Sequence, residues 1–140
     1  MRVFLDANIL VSVLNKEYPL FPYSSRALSL IDHSGFQLYT SPTCLAIAFY
    51  FSEKKSGAVM AKQKIGLLAQ KINIAPTDRE TVLQVFRNRA INDVEDGLQY
   101  YAAVRAKCTC IITEDCDDFH FSELEILGAK DFLNQYVFRS

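Results

Sequence analysis

No long apolar run, no dominant charge sign and no cysteine framework mark this chain, and each absence removes a class of protein. The longest stretch without a polar residue runs from Cys44 to Phe51, far short of the ~20 residues an apolar helix needs to cross a bilayer. Asp6 and Asn8 interrupt the apolar opening, so no export signal is expected. No membrane partner is expected, and the cytoplasm is the expected compartment. Lys and Arg number 15 against 16 Asp and Glu, a formal net charge of -1. Contact with a polyanion must then come from a local patch, not from the field of the whole molecule.

Cys44, Cys108, Cys110 and Cys116 fit neither the paired spacing of a zinc ribbon nor a disulfide framework, and read as free, buried thiols. Repeats, linkers and low-complexity segments are also missing. What is present is 140 residues, 50% hydrophobic and 22% charged, enough for one core without covalent staples. Residues 1–140 are expected to form a single domain.

Strand and helix patterns alternate along the chain. Val3-Phe4-Leu5 reads as a strand, Asp6-Ala7-Asn8 as a polar elbow, and Ile9, Leu10, Val13 and Leu14 as the apolar stripe of a helix. Pro19 and Pro22 bracket an aromatic loop, with Ser24 or Ser25 capping a helix that Gly35 ends. After a short strand over 36–40, Ser41-Pro42 signals a helix start. That helix is apolar on every side through Phe51 and is expected to be buried on most of them. A helix over about 58–70, a strand over 72–75 and a helix opened by a Thr77–Glu80 capping box follow. Asp93-Val94-Glu95-Asp96 opens the next helix, 110–113 is the clearest buried strand, 124–127 the last strand, and 129–136 the closing helix. This order predicts an α/β fold, a parallel sheet covered on both faces.

Asp6, Asp96, Asp115 and Asp118 stand at the seams between these elements, and parallel sheets build their sites at the carboxyl ends of strands. Each acid alone has an ordinary role: Asp6 as a helix cap, Asp93 and Asp96 as answers to a helix dipole, Asp115 and Asp118 as turn formers. Together they point to a cation. Oxygen ligands without His or Cys favour Mg²⁺ or Mn²⁺ over zinc, and such ions serve hydrolysis of phosphodiesters. Asp93 and Asp96, three residues apart, are expected on one side of their helix and Glu95 on another.

Four segments together resemble the PIN domain, the fold of small metal-dependent ribonucleases that include the VapC-type toxins. They are Leu5-Asp6-Ala7-Asn8-Ile9-Leu10, Asp93-Val94-Glu95-Asp96-Gly97-Leu98-Gln99, Ile112-Thr113-Glu114-Asp115-Cys116-Asp117-Asp118-Phe119 and Lys130-Asp131-Phe132-Leu133. The resemblance spans Val3 to about Leu133 and implies a three-layer α/β/α sandwich with a parallel sheet of about four to five strands. It implies that Asp6, Asp96 and Asp115 are catalytic and bind the metal, with Asn8, Asp93, Thr113 and Asp118 auxiliary around them. RNA as substrate, an antitoxin protein as partner and a homodimer are further implications.

One position departs from the pattern. Many relatives carry a glutamate ligand on the helix after the Ser-Pro start, and Ile47 stands there. Glu53 is six residues further on, turned by about 240° in an ideal helix, and is a poor substitute. Two readings follow: a metal-dependent endoribonuclease, or a catalytically weakened PIN module that binds RNA or a partner protein. A phosphoacceptor receiver domain is disfavoured, because the strand ending at Ala75 is followed only by Pro76-Thr77-Asp78. Lys54, Lys55, Lys62 and Lys64, with Arg87 and Arg89 as a second group, are candidate RNA contacts, although charge runs of this kind read first as solvated helix faces. Tyr18, Phe21 and Tyr23 in the proline-bracketed loop suit a partner or a stacked base, whereas Phe49, Tyr50 and Phe51 are assigned mostly to the core.

Overall fold

Val3, Phe4 and Leu5 expose no surface, as expected of a strand covered on both faces and paired on both edges. The computed structural model describes residues 1–138, and the last two residues of the expected unit lie outside the described residues. The opening strand, β1 (Arg2–Leu5), is the centre of a five-stranded sheet. On one side lie β2 (Gln37–Thr40) and β3 (Asn73–Ile74), and on the other β4 (Cys110–Ile112) and β5 (Glu125–Leu127), with every pair parallel. In the order β3-β2-β1-β4-β5 the winding reverses between β1 and β4, where a crevice opens beyond the strands' carboxyl ends. Asp6 and Thr113 are the first residues past those two ends.

The helices are α1 (Ala7–Leu14), α2 (Phe21–Leu28), α3 (Pro42–Ser56), α4 (Ala58–Lys71), α5 (Arg79–Arg87), α6 (Val94–Arg105) and α7 (Ala129–Tyr136). With the sheet they form a three-layer α/β/α sandwich, α1 packing on α2 and α3, α2 on α7, and α5 on α6. Cys44, Cys108 and Cys110 are free and buried and Cys116 is partly exposed, consistent with thiols that serve packing. Burial pushes the Cys44, Cys108 and Cys110 thiols up to about 12, which keeps them protonated and inert.

Four local expectations need correction. The second helix begins at Phe21 with Pro22 in its first turn, so Ser24 lies inside it, buried. Proline tolerates a first turn because the amide it lacks has no partner there. Asp78, not Thr77, caps α5 by accepting from the Thr81 amide at 3.1 Å. The strand after α4 keeps only two residues, Asn73 and Ile74, because it is the edge of the sheet. On α3, capped as expected by Ser41 accepting from the Cys44 amide, only Cys44, Ala48 and Ser52 are buried. Tyr50 and Phe51 are 52% and 45% exposed, so the core takes a single stripe of this helix. Gly57, at a φ of 84° that few residues but glycine adopt, turns the chain at once into α4, and the two helices pack as a hairpin.

Candidate active site

Asp6 leaves β1 with extended backbone, and its Oδ1 accepts from the Ala7 amide at 2.6 Å, which caps α1. Its backbone amide donates to Ile112 O at 3.0 Å, continuing the β1–β4 ladder one residue past the strand. The other carboxylate oxygen, Oδ2, accepts from the Thr113 hydroxyl at 2.7 Å and from Asn8 Nδ2 at 3.4 Å. Thr113 is fully buried behind Asp6, and its Oγ1 in turn accepts from Asn8 Nδ2 and from the Asp115 amide, each at 3.1 Å. Asn8 Nδ2 also donates to Asp115 Oδ2 at 3.1 Å, while Asn8 Oδ1 accepts from the Glu114 amide at 3.3 Å. One amide side chain therefore ties the elbow after β1 to the elbow after β4, and sets Asp6 and Asp115 side by side.

The third element is the head of α6. Asp93 is its cap, accepting from the Glu95 amide at 2.9 Å, so Glu95 and Asp96 lie in the first helical turn. Gly97 lets this turn approach its neighbours: a Cβ there would lie 2.7 Å from Val85 Cγ1 and 2.9 Å from Ile91 Cγ2. The close approach fixes where the head of α6 meets the sheet.

These elements enclose a cavity of about 400 Å³. Asp6, Asn8, Asp93, Asp96, Asp115 and Asp118 all line it, and so does Ile47. Thr113 supports the cavity from behind without lining it. Glu95 also faces this cavity, contrary to the expectation that it points away, and Glu17 joins it from the loop after α1. Glu95 escaped the spacing argument because Asp93 is a cap outside the helix, so counting helical rotation from it misplaces its successors. For Glu17 the sequence holds no signal, because a loop has no periodicity. The chain there turns through Lys16 at a φ of 51°, a left-handed conformation that places Glu17 at the cavity.

Crowded, half-buried carboxylates resist ionisation. Burial pushes Asp6 up from 3.8 to about 6, against the pull of the Thr113 and Ala7 hydrogen bonds, with Asp115 and Glu95 adding repulsion. Asp96 rises to about 7, first through burial and then through repulsion from Asp93, Asp118, Asp6 and Glu95. Glu95 is also raised, by burial and by Asp93. Among the described residues no three His, Cys, Asp or Glu side chains converge closely enough to grip an ion directly. The donor set nevertheless suits a hard divalent cation: all oxygen, mutually repelling, and spread round a cavity with room for water. Mg²⁺ characteristically keeps several waters and takes only one or two carboxylates directly.

The candidate RNA-contacting lysines lie elsewhere. Lys55 and Lys64 donate through Nζ to Asn15 O and to Leu14 O, the latter at 3.5 Å, so both close the carboxyl end of α1. Lys54 Nζ sits 4.2 Å from the centre of the Tyr50 ring, and Lys62 lines a shallow groove on α4 with Val59 and Leu67. None of the four lines the acidic cavity. Arg87 pairs with Glu80 at 3.4 Å, and Arg89 is exposed. Tyr18 is 72% exposed with its ring 5.5 Å from that of Phe21, and Lys130 lies over Tyr23 at 5.6 Å; these aromatics are also outside the cavity.

Comparison with known proteins gives the same architecture. The chain is similar to ribonuclease VapC1 of Aquifex aeolicus (strain VF5), with 23% identity over 138 residues covering 96% of this chain and 95% of that protein. The fold superposes on VapBC2 from Rickettsia felis, solved bound to a DNA fragment from its promoter, with a TM-score of 0.67 and 18% identity over 91% of this chain and 97% of that one. It also superposes on VapC20 of Mycobacterium tuberculosis, a sarcin-ricin loop cleaving toxin, with a TM-score of 0.68 and 12% identity over 84% and 92% of the two chains. The sequence profile of the PIN domain matches residues 2–117. With its acids brought together at the β1–β4 switch point, this chain belongs to the PIN domain family.

Proposed function

We propose that this chain is an endoribonuclease that uses Mg²⁺ or Mn²⁺ and cleaves RNA phosphodiester bonds as the toxin of a toxin–antitoxin pair. The observation that carries the reading is the meeting of Asp6, Asp96 and Asp115, from three separate elements, in one cavity at the sheet's switch point. These three would hold the ion largely through its waters, with at most one or two of them bound directly. When bound, the ion supplies a water of lowered pKa and neutralises charge on the phosphoryl group. Thr113 and Asn8 keep the Asp6 carboxylate oriented by hydrogen bonding to Oδ2, and Asn8 holds Asp115 beside it. Asp93, Asp118 and Glu95 raise the negative potential that draws a cation in. The likeness to VapC1, a ribonuclease, and to the VapBC2 complex supports RNA as substrate and a protein antitoxin as partner.

A second reading, a weakened PIN module that binds RNA or a partner, is favoured by Ile47, an apolar side chain on the cavity wall. Cleavage of single-stranded RNA with added Mn²⁺ separates the two. The first reading expects cleavage that stops in chelator and in Asp6→Asn and Asp96→Asn. Cleavage that survives both variants rules the assigned ligands out, and RNA binding without any cleavage selects the second reading.

A further inference from the structure

The cavity has two walls of different chemistry, and only one is explained by a metal. Acids from β1, β4 and α6 form the first. The second is Val11 of α1 with Ile47 and Phe51 of α3, and Ile47 and Phe51 are one turn apart, side by side on the helix. Phe51 is 45% exposed, a large aromatic side chain on the wall of the acidic cavity, although burial in the core would have been more stabilising. Its place is well defined: Asn15 Nδ2 donates to Phe51 O at 3.3 Å, and the Tyr50 ring stands edge-on to the Phe51 ring at 5.3 Å and 78°. Tyr50 carries Lys54 above its face, so the aromatic wall leads outward to a cation. A single RNA strand has the matching division, a charged phosphodiester next to a flat base with two apolar faces.

We propose that Val11, Ile47 and Phe51 form a nucleobase subsite, in which an unpaired base next to the phosphate in the acidic cavity stacks on Phe51. The proposal rests on the ribonuclease reading. It gives Ile47 a positive role, since a charged glutamate in its place would interrupt the apolar wall. The wall offers no hydrogen-bond donor or acceptor from its side chains, so the subsite discriminates by stacking area, purine over pyrimidine, and not by base-edge pattern.

The test uses the Asp96→Asn chain with Mn²⁺, to suppress cleavage, and a short single-stranded RNA carrying one 2-aminopurine. Binding is expected to quench the probe. Adding Phe51→Ala removes the quench and weakens binding by about 5- to 150-fold, the range for one lost base stack. Phe51→Trp restores both, and RNA with an abasic residue at the probe position binds equally well with and without the Phe51→Ala substitution. Wild-type affinity and quench in the Phe51→Ala background, in a protein whose parent still cleaves RNA, overturn the subsite and leave the ribonuclease reading intact. A change of oligomeric state on Phe51→Ala with unchanged RNA binding also overturns it, marking the wall as a protein interface. Absence of both cleavage and RNA binding in the wild type sinks the two together.

Discussion

Asp6→Asn should make the metal-free protein more stable at neutral pH, although it removes a side chain held by three neighbours. The Asp6 carboxyl titrates at about 6 in the folded protein against an ordinary 3.8, chiefly because it is buried. A raised carboxyl pKa means that the folded chain binds more protons than the unfolded chain between those values. Stability from this group is therefore greatest below about 4 and falls as pH rises toward 6. At about 1.4 kcal/mol per pH unit the ionised side chain costs the metal-free fold about 3 kcal/mol at pH 7.5. Asparagine removes that cost and caps a helix about as well as aspartate, so the Ala7 contact survives. The Thr113 hydroxyl, now facing an amide, forfeits about 1 kcal/mol. The net gain is about 2 kcal/mol, a rise in Tm of roughly 6 °C for a chain of this size. Thermal unfolding in chelator at pH 7.5 and pH 4 measures it: the gain should appear at the higher pH and vanish at the lower. Added Mn²⁺ should raise the wild-type Tm and leave the variant unmoved. Equal destabilisation by Asp6→Asn at both pH values would show that Asp6 is an ordinary structural cap and would refute the reasoning.

Mn²⁺ affinity should fall as pH drops from 8 to 5.5, because Asp96 and Asp6 take up protons near 7 and 6 and a bound ion must displace them; calorimetry in buffers of different ionisation enthalpy should register proton release at pH 6.5. Glu95→Gln should weaken Mn²⁺ about tenfold with no loss of Tm, as a supporting group of a metal site does, and unchanged affinity would remove Glu95 from the site. Ile47→Glu should strengthen Mn²⁺ binding in the same titration, and no gain would mean that position 47 does not reach the ion. Gly97→Ala, whose Cβ would press on Val85 and Ile91, should cost about 1–3 kcal/mol in urea denaturation; neutrality would mean that the head of α6 yields freely.

Where local chemistry decides, the sequence is readable. Strand, acidic elbow and helix at 3–14, the Ser41 cap before Pro42, and the helix of Ala129–Tyr136 are each set by residues close in the chain. So is the placing of Asp6, Asp96 and Asp115 at one edge, because a parallel sheet leaves little choice. What stayed hidden was decided by neighbours. From Cys44 to Phe51, α3 is apolar on every side, and nothing in its own pattern says that only Cys44, Ala48 and Ser52 of this helix are fully buried. Glu17 reaches the cavity from a loop, and Asp78 caps α5 in place of Thr77 because Arg105 and Thr81 converge on it. The lysines at 54, 55 and 64 read along the chain as a solvated face or an RNA contact, and the backbone ends and ring they meet are invisible there.

The bond from the Thr113 hydroxyl to Asp6 spans 107 residues, and it dates the birth of the site. A ribosome adds about 5–20 residues each second, so Asp6 waits several seconds beside its exit before β4 exists to receive it. Until then the earlier strands and helices can pack and Asp6 can keep its contact with the Ala7 amide, but Asp115, Asp118 and the Thr113 hydroxyl are still missing from the cavity. A chain cut short before residue 113 lacks both the hydroxyl that holds Asp6 and the elbow that carries Asp115, so it cannot complete the acidic cavity.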